Sequence, residues 1–431
     1  MALSLKHFFG TVTTLIAVCF IFSIGPAADS KPQKCGDNAE FTISKDGVLT
    51  VTGTGDMYNI DPSKDKLEPI AGSKDASKIK KIVIGEGITS VGDYNFSYMK
   101  NLKKVTLPST LTRIGHFSFY DDEKLGNVTL PADLDTLGQS CFGFCKGMTS
   151  VTVPAKVNSM NETFFGCTNI FEAYIDGSAE TAKDHSGFTA PFRECYKLKD
   201  ITVNPEHALL YVKDGVLYDR ETNDLVQYPL GNKNTTFRIP AETVRVKSSA
   251  MLGAEYLDML IVDHKCEFGS ISVGSGSWSS RSTKIAIFAE KGSDAYKFYR
   301  SVSKDNEEKY AFFELKRLEN VVRSGSILYE KTGGKTVNYL HNSDRKLTAL
   351  KVADTVKLKG KIYKITSIEA GCFMSNNRLT NVTLGKNIKS VGKNAFKNCL
   401  FLQTFKVPKG RKSAYKKILK KSGLNKNVSI E

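Results

Sequence analysis

Cysteine is the residue type in this 431-residue chain whose spacing comes closest to a chemical motif. Of the nine cysteines, Cys141, Cys145 and Cys167 lie nearest to one another, and thiols so placed can hold a metal or form a disulfide. The CxxC pair typical of zinc sites is missing, so the sequence predicts no metal site. It predicts thiols packed as small apolar residues, with Cys145 and Cys167 as the one pair to consider for a disulfide.

Motifs of catalysis and cofactor binding are absent from the sequence. The six histidines are scattered without an HExxH pattern, and no G-x-S-x-G elbow or Walker sequence occurs. Gly53-Thr54-Gly55 lacks the third glycine of a dinucleotide-binding loop. We therefore expect no catalytic, cofactor-binding or metal-binding residues, and a chain that is not an enzyme. A secreted enzyme with an unrecognised site remains an alternative.

Basic and aromatic side chains indicate binding instead. The 61 Lys+Arg residues exceed the 45 Asp+Glu residues by 16, a balance that favours anionic surroundings such as cell-wall polymers, anionic glycans or nucleic acid. Trp278, the single tryptophan, lies in the Gly/Ser-rich stretch from Gly269 to Ser282. Its ring can stack on a sugar or pin its own loop to the rest of the protein, and we expect the second role.

A fixed period of 23 residues organises the chain and must position these side chains. The period relates Ile79, Leu102, Leu125 and Met148, and also Phe96, Phe119, Phe142 and Phe165. In the second half, the step from Phe373 to Phe396 is again 23. Units of this length cannot bury a core alone, so the period predicts a solenoid of stacked coils.

One unit, from Leu102 to Lys124, shows the expected course of a coil. Alternating apolar residues predict a short strand that ends at Pro108, because proline lacks the N–H that a ladder requires. Gly115 is expected to permit a tight corner, and Phe119 to fill the coil centre. Parallel pairing of successive coils would then stack phenylalanine on phenylalanine.

The outward positions of the first strand in each unit form the predicted binding face. Residues between the buried ones must point away from the core. The outward candidates are Lys80, Lys81, Lys103, Lys104, Thr106, Thr129 and Thr152. The threonines have a second explanation in β propensity, whereas repeated lysines on adjacent strands repel and contribute nothing to folding.

The repeat resembles a known family. The pattern L-x-x-V-x-L-P-x-x-L-x-x-I-G-x-x-x-F-x-x-C, best matched by the run from Val391 to Cys399, is similar to the BspA-type leucine-rich repeats of secreted and surface proteins. The resemblance implies a parallel, β-rich leucine-rich-repeat solenoid with short helical caps. It also implies a binding or adhesion module rather than an enzyme.

The N-terminal segment indicates the compartment. Lys6 and His7 precede an apolar run from Phe8 to Ile24, and small residues follow before Asp29, the layout of a secretory signal peptide. We expect residues 1–28 to be removed and the protein to be extracellular, secreted or retained at the cell surface. No later segment has the length of a membrane span.

Breaks in the lattice divide the rest of the chain. We expect an N-terminal β cap and loop at residues 29–78 and a first array at residues 79–318 that carries a hairpin and a Gly/Ser-rich insertion. A second array is expected at residues 319–431, closed by a basic helix in which Lys412, Lys416, Lys417 and Lys420 point outward.

The combined expectation is a secreted or cell-surface module that binds a protein or glycan on a host or bacterial surface, without a cofactor. A cell-wall or glycan-binding accessory protein, held on anionic polymer by its basic end, is the alternative. Nucleic acid is not expected as a partner of an extracellular chain.

Overall fold

In the computed structural model, short parallel strands stack coil upon coil into a β-solenoid. The structure describes residues 30–61, 63, 70, 76–177, 187–254, 256–269, 285–303, 310–344 and 346–431. The predicted signal peptide and Trp278 lie outside these residues. The predicted fold class, a repeat solenoid of parallel β-rich coils with few helices, is confirmed.

An antiparallel cap begins the described chain. Its strands are β1 (Gln33–Lys34), β2 (Gly36–Ile43) and β3 (Val48–Met57). Strand β3 pairs antiparallel with β2 along one edge and parallel with the first coil along the other. Because each N–H and C=O of a strand edge needs a partner, the cap covers the edge that the first coil would otherwise expose.

Most coils of the first array contribute two short strands, one to each of two rows, whereas the coil that begins at Leu125 contributes a strand only to the second row. The first row contains β4 (Lys81–Ile84), β6 (Lys104–Thr106), β9 (Ser150–Val153), β11 (Glu172–Ile175) and β13 (Asp200–Val203). The second row contains β5 (Ile88–Val91), β7 (Arg113–Ile114), β8 (Thr136–Leu137), β10 (Met160–Asn161) and β12 (Phe188–Thr189).

An antiparallel excursion follows, and then the parallel coils resume. The excursion is formed by β14 (Leu210–Lys213), β15 (Val216–Asp219) and β16 (Leu225–Gln227). The later strands are β17 (Thr236–Arg238), β18 (Arg245–Val246), β19 (Met259–Val262), β20 (Glu267–Phe268), β21 (Ile285–Ala289) and β22 (Tyr310–Glu314). Helix α1 (Asp294–Ser303) packs against this part of the array.

Strand partners change after β22, where the 3₁₀ helix Leu315–Asn320 intervenes. The strands that follow are β23 (Val321–Ser324), β24 (Ile327–Gly333), β25 (Thr336–Asn342), β26 (Ala349–Val352), β27 (Thr355–Leu358), β28 (Lys361–Ile368), β29 (Asn381–Leu384), β30 (Ser390–Val391), β31 (Thr404–Lys406) and β32 (Ser429–Ile430). Helix α2 (Lys412–Leu419) buries Tyr415 and Leu419 against the last coils. Among the described residues, none of the helices combines the length and apolarity of a membrane span.

A ladder of phenylalanine rings fills the centre of the first array. Phe96, Phe119, Phe142, Phe164 and Phe192 are fully buried, and successive ring centroids lie 5.3 to 5.7 Å apart. The Phe119 and Phe142 rings are 4° from parallel. This ladder gives each coil the core that it cannot form alone.

The expected position of Phe165 in this ladder is wrong, and Phe164 takes it. The step from Phe142 to Phe164 is 22 residues, because the corner after Met160 is one residue shorter than in the preceding coils. Phe165 instead turns outward, where its ring meets Phe144 at 4.7 Å and lies 4.5 Å beneath the Arg193 guanidinium.

The corner glycines act differently from the sequence-based expectation. Gly115 and Gly138 do not have positive φ; the residues with left-handed backbone are Phe117 and Ser140, two positions later. A Cβ on Gly138 would collide with the backbone of Gly115 in the coil below. Glycine is therefore required at this corner because successive coils approach too closely for any side chain.

Candidate binding face

The first-strand row presents the predicted outward residues on one surface, here called the strand face. Lys81 lies opposite Lys104 in register, and Val83 lies opposite Thr106. Thr152 lies opposite Tyr174, which in turn lies opposite Thr202. The position that Thr106 and Thr152 occupy is therefore held by Val83 in the first coil and by Tyr174 and Thr202 in the later coils.

The predicted lysines lie at the N-terminal end of the strand face. Lys80, Lys103 and Lys104 are exposed and Lys81 is half-buried. The Lys103 N–H donates to the Lys80 carbonyl at 2.9 Å, so the two lysine pairs lie on adjacent coils. None of the four lysines forms an ion pair with another described side chain. Their charges repel one another and are free to attract an anion.

A hollow of about 520 Å³ lies at the centre of the strand face. It is lined by Asn127, Thr129, Leu130, Ser150, Thr152, Pro154 and neighbouring residues. The Asn127 amide donates to Ser150 Oγ at 2.9 Å, and its oxygen accepts from the Thr149 N–H at 2.7 Å. Two of the three predicted threonines thus border a concave surface that is lined by both polar and apolar side chains.

The other end of the strand face is acidic and aromatic, which the sequence analysis missed. Glu172 and Asp200 are exposed and lie opposite each other in register. Phe171 and Tyr174 are each 39% exposed. The coil from Ile170 runs 28 residues to Leu198, so a search at a constant 23 does not align Asp200 with the row. Aligning the buried residues Ala173 and Ile201 would have revealed it.

The edge of the hollow carries one ordered carboxylate. The Asn204 amide donates to Asp176 Oδ1 at 2.8 Å, and this hydrogen bond lowers the pKa of Asp176. The Gly177 N–H donates to the same oxygen at 2.9 Å. Asp176 is therefore held as an anion beside Tyr174, whose hydroxyl lies 3.3 Å from it.

The cysteines lie in the core, away from this face. Cys145 and Cys167 are fully buried free thiols, and each donates to a backbone carbonyl of the preceding coil, that of Phe119 at 3.0 Å and that of Phe142 at 2.9 Å. Burial raises the pKa of the Cys145 thiol well above its ordinary value, which keeps the thiol unreactive. No disulfide joins the two in this structure, and their pairing on oxidation stays a prediction.

One carboxyl group occupies the same column as these thiols. Asp122 Oδ1 accepts from the Met99 N–H at 2.7 Å, while Oδ2 has no hydrogen-bond partner among the described residues. Burial raises the pKa of Asp122 well above its ordinary range. The effect of this buried group is therefore on stability.

Within the described residues, no three His, Cys, Asp or Glu side chains are grouped as metal ligands. Trp278 lies outside those residues, so both of its expected roles stay predictions. Apart from Trp278, the predicted partner-binding residues therefore all lie on the strand face.

Comparison with known proteins identifies the repeats. The model of the BspA-type leucine-rich repeat region matches residues 74–199 and 354–431 in six copies. The chain therefore contains BspA-type leucine-rich repeats in these two ranges. The matched residues include the strand face as far as Lys199 and all of α2. No curated protein sequence matches this chain.

Solved structures similar to this chain include three leucine-rich repeat proteins from bacteria. A leucine-rich repeat protein from Eubacterium ventriosum is 22% identical, with 87% of this chain and 90% of that chain covered and a TM-score of 0.47. A leucine-rich repeat protein from Bacteroides ovatus is 16% identical, with 92% and 98% covered and a TM-score of 0.38. A leucine-rich cell surface protein from Faecalibacterium prausnitzii is 17% identical, with 93% and 99% covered and a TM-score of 0.31.

Proposed function

We propose that this BspA-type protein is a secreted or cell-surface binding module without catalytic activity, and that it engages a protein or glycan on a host or bacterial surface through the strand face. The observation that supports the proposal is the set of four lysines that make no ion pair with a described residue, on the same face as the hollow. Like charges on neighbouring strands destabilise the coils, so their retention is explained by an external anionic group that covers them.

The proposal is tested with a variant in which Lys80, Lys81, Lys103 and Lys104 are replaced by Ser. We expect the variant to fold, because these side chains make no ion pair with a described residue, and to associate more slowly with the partner. The rate difference should be largest at low ionic strength, since the Debye length falls to about 8 Å at physiological salt.

The matched control replaces four lysines of the second array, Lys357, Lys361, Lys389 and Lys393, by Ser. All four are exposed, so the control has the same net charge. Both variants are compared with the unmodified chain in pull-downs from host and bacterial surface extracts, followed by association kinetics with the protein or glycan captured. Equal loss of association in both variants would show that only net charge matters and would remove the strand face from consideration.

A second candidate function, attachment to an anionic cell-wall polymer, is favoured by the C-terminal surface. Lys412, Lys416, Lys417 and Lys420 are all exposed on or beside helix α2, while Tyr415 and Leu419 face the core. Reversing these four charges to Glu should abolish retention by purified cell walls at low salt. Equal retention of intact and charge-reversed protein would eliminate this function.

A further inference from the structure

The outward charges of the strand face change sign from one end to the other. Six successive coils each place one residue at the same outward position of this face. These residues, here called the outer row, are Lys81, Lys104, Asn127, Ser150, Glu172 and Asp200. Two cations begin the outer row, two neutral polar residues occupy its middle, and two carboxylates end it. The row crosses six coils that are about 4.8 Å apart, so its ends lie about 24 Å from each other.

This order is unfavourable within a single copy. Lys81 lies directly opposite Lys104, and Glu172 lies directly opposite Asp200, so each charged residue has a like charge as its neighbour in the ladder. Like charges in directly opposite positions destabilise a sheet. No described side chain forms an ion pair with any of the four. Alternating the signs along the row would have removed this repulsion.

The outer row is complementary to its own reverse. A two-fold axis parallel to the strands, between the coils of Asn127 and Ser150, brings two strand faces together with the order of coils reversed. Lys81 of one copy then meets Asp200 of the other, and Lys104 meets Glu172. Asn127 meets Ser150 at the centre, where an amide and a hydroxyl can exchange hydrogen bonds. The symmetry repeats every pair, which gives four opposite-charge pairs for each dimer.

We propose that the strand face binds a second copy of this chain in this antiparallel, two-fold arrangement. The inference rests on the proposed function, in which the strand face is a binding surface, and it names the partner of that surface. The acidic group that the lysines require is then supplied by the protein itself.

The neighbouring rows fit the same arrangement. Exposed Tyr174 of one copy faces Thr106 of the other, and exposed Phe171 faces Lys103, a cation-on-ring contact. Thr129 faces Thr152 beside the hollow. One like-charge contact, between Lys80 and Lys199, opposes the arrangement. The Lys199 ammonium lies 6.0 Å from the Phe171 ring of its own copy.

The size of the face sets the expected affinity. Six coils at about 4.8 Å and four residues at about 3.3 Å give a contact of about 29 by 13 Å, or about 400 Å² for each copy. A standard interface buries about 800 Å² on each partner, so this dimer is a weak one that relies on its charge pairs. It should therefore form at high local concentration and dissociate with salt.

Sedimentation velocity of the purified chain over a concentration series tests the proposal. At low salt the unmodified chain should show a sedimentation coefficient that rises with concentration, and added salt should remove the rise. A variant with Lys81→Glu and Lys104→Glu, and another with Glu172→Lys and Asp200→Lys, should each lose association at least about 10-fold, because every charge pair becomes repulsive. A control with Lys389→Glu and Lys393→Glu should associate like the unmodified chain.

Mixing the two charge-reversed variants provides the decisive measurement. The acidic face of the first variant complements the basic face of the second at every pair, so an equimolar mixture should recover the association that each variant lacks alone. Recovery also shows that both variants are folded. Three results would overturn the proposal. The unmodified chain could stay monomeric at all concentrations, either variant could associate as the unmodified chain does, or the mixture could fail to recover association.

The outcome is separable from that of the proposed function. A monomeric chain that still binds a component of surface extracts through its lysines overturns self-association and leaves the proposed function in place. A charge-dependent dimer that retains no component of any extract supports self-association and overturns binding to a host or bacterial surface.

Discussion

Replacing Phe164 by Ala and, in a separate variant, Phe165 by Ala tests the coil register directly. A constant period of 23 places Phe165 in the core, whereas the structure places Phe164 there. The two residues are adjacent and of one type, so each variant is the matched control of the other. The two variants have the same composition and nearly the same unfolded chain. A difference between their free energies of unfolding therefore arises in the folded protein.

The structure gives a different magnitude for each variant. Phe164 is fully buried, and its ring centroid lies 5.7 Å from that of Phe142 and 5.5 Å from that of Phe192. Truncating such a ring should lower the free energy of unfolding by about 3 to 5 kcal/mol. Phe165 is half-buried, and its truncation removes one ring pair and one Arg193 cation–π contact, together about 1 to 2.5 kcal/mol.

Urea denaturation gives the overall difference, and amide hydrogen exchange shows where it acts. Because coils are stabilised by their neighbours, Phe164→Ala should raise exchange in the coils of Phe142 and Phe192 and leave the second array unchanged. A Phe165→Ala variant that is destabilised as much as Phe164→Ala, or more, would refute the 22-residue coil.

Three further predictions concern single groups. Because burial raises the pKa of Asp122, the fold favours its protonated form, so this group's own contribution to stability is fully present below the unfolded pKa of about 3.9 and is lost as the pH rises through the folded value. Asp122→Asn should therefore raise the melting temperature at neutral pH and change it little in acid. Cys145 and Cys167 should resist thiol reagents in the folded chain and react in denaturant, as followed by mass spectrometry. Trp278 fluorescence should not shift with oligosaccharides if the ring pins its own loop; a shift would favour the sugar-stacking role.

The core was predictable because burial repeats. A phenylalanine at the coil centre must lie above the one before it, so Phe96, Phe119 and Phe142 follow the period. The prediction was wrong at Phe165 because counting in steps of 23 residues cannot show that one corner of a coil is a residue shorter. The corner after Met160 is shortened without loss of stacking, and only the contact of Phe164 with Phe142 reveals it.

The corner glycines show a second limit of the sequence. Gly138 is required by the backbone of Gly115 in another coil, a contact between residues that are 23 positions apart. When a single repeat is considered alone, its corner glycine is explained by turn geometry, because glycine adopts backbone conformations that other residues avoid. The left-handed residues are instead Phe117 and Ser140, which carry side chains and so gave no signal.

The strand face differs from the core because nothing in the coil fixes its outward residues. Most buried positions hold apolar side chains of suitable size, which makes them repeat and makes them recognisable. An outward position accepts almost any side chain, so the order from Lys81 to Asp200 is not a consequence of coil packing. Since that order places like charges side by side, coil stability alone opposes it. The non-repeating residues on this regular scaffold are therefore the ones that carry information about the partner.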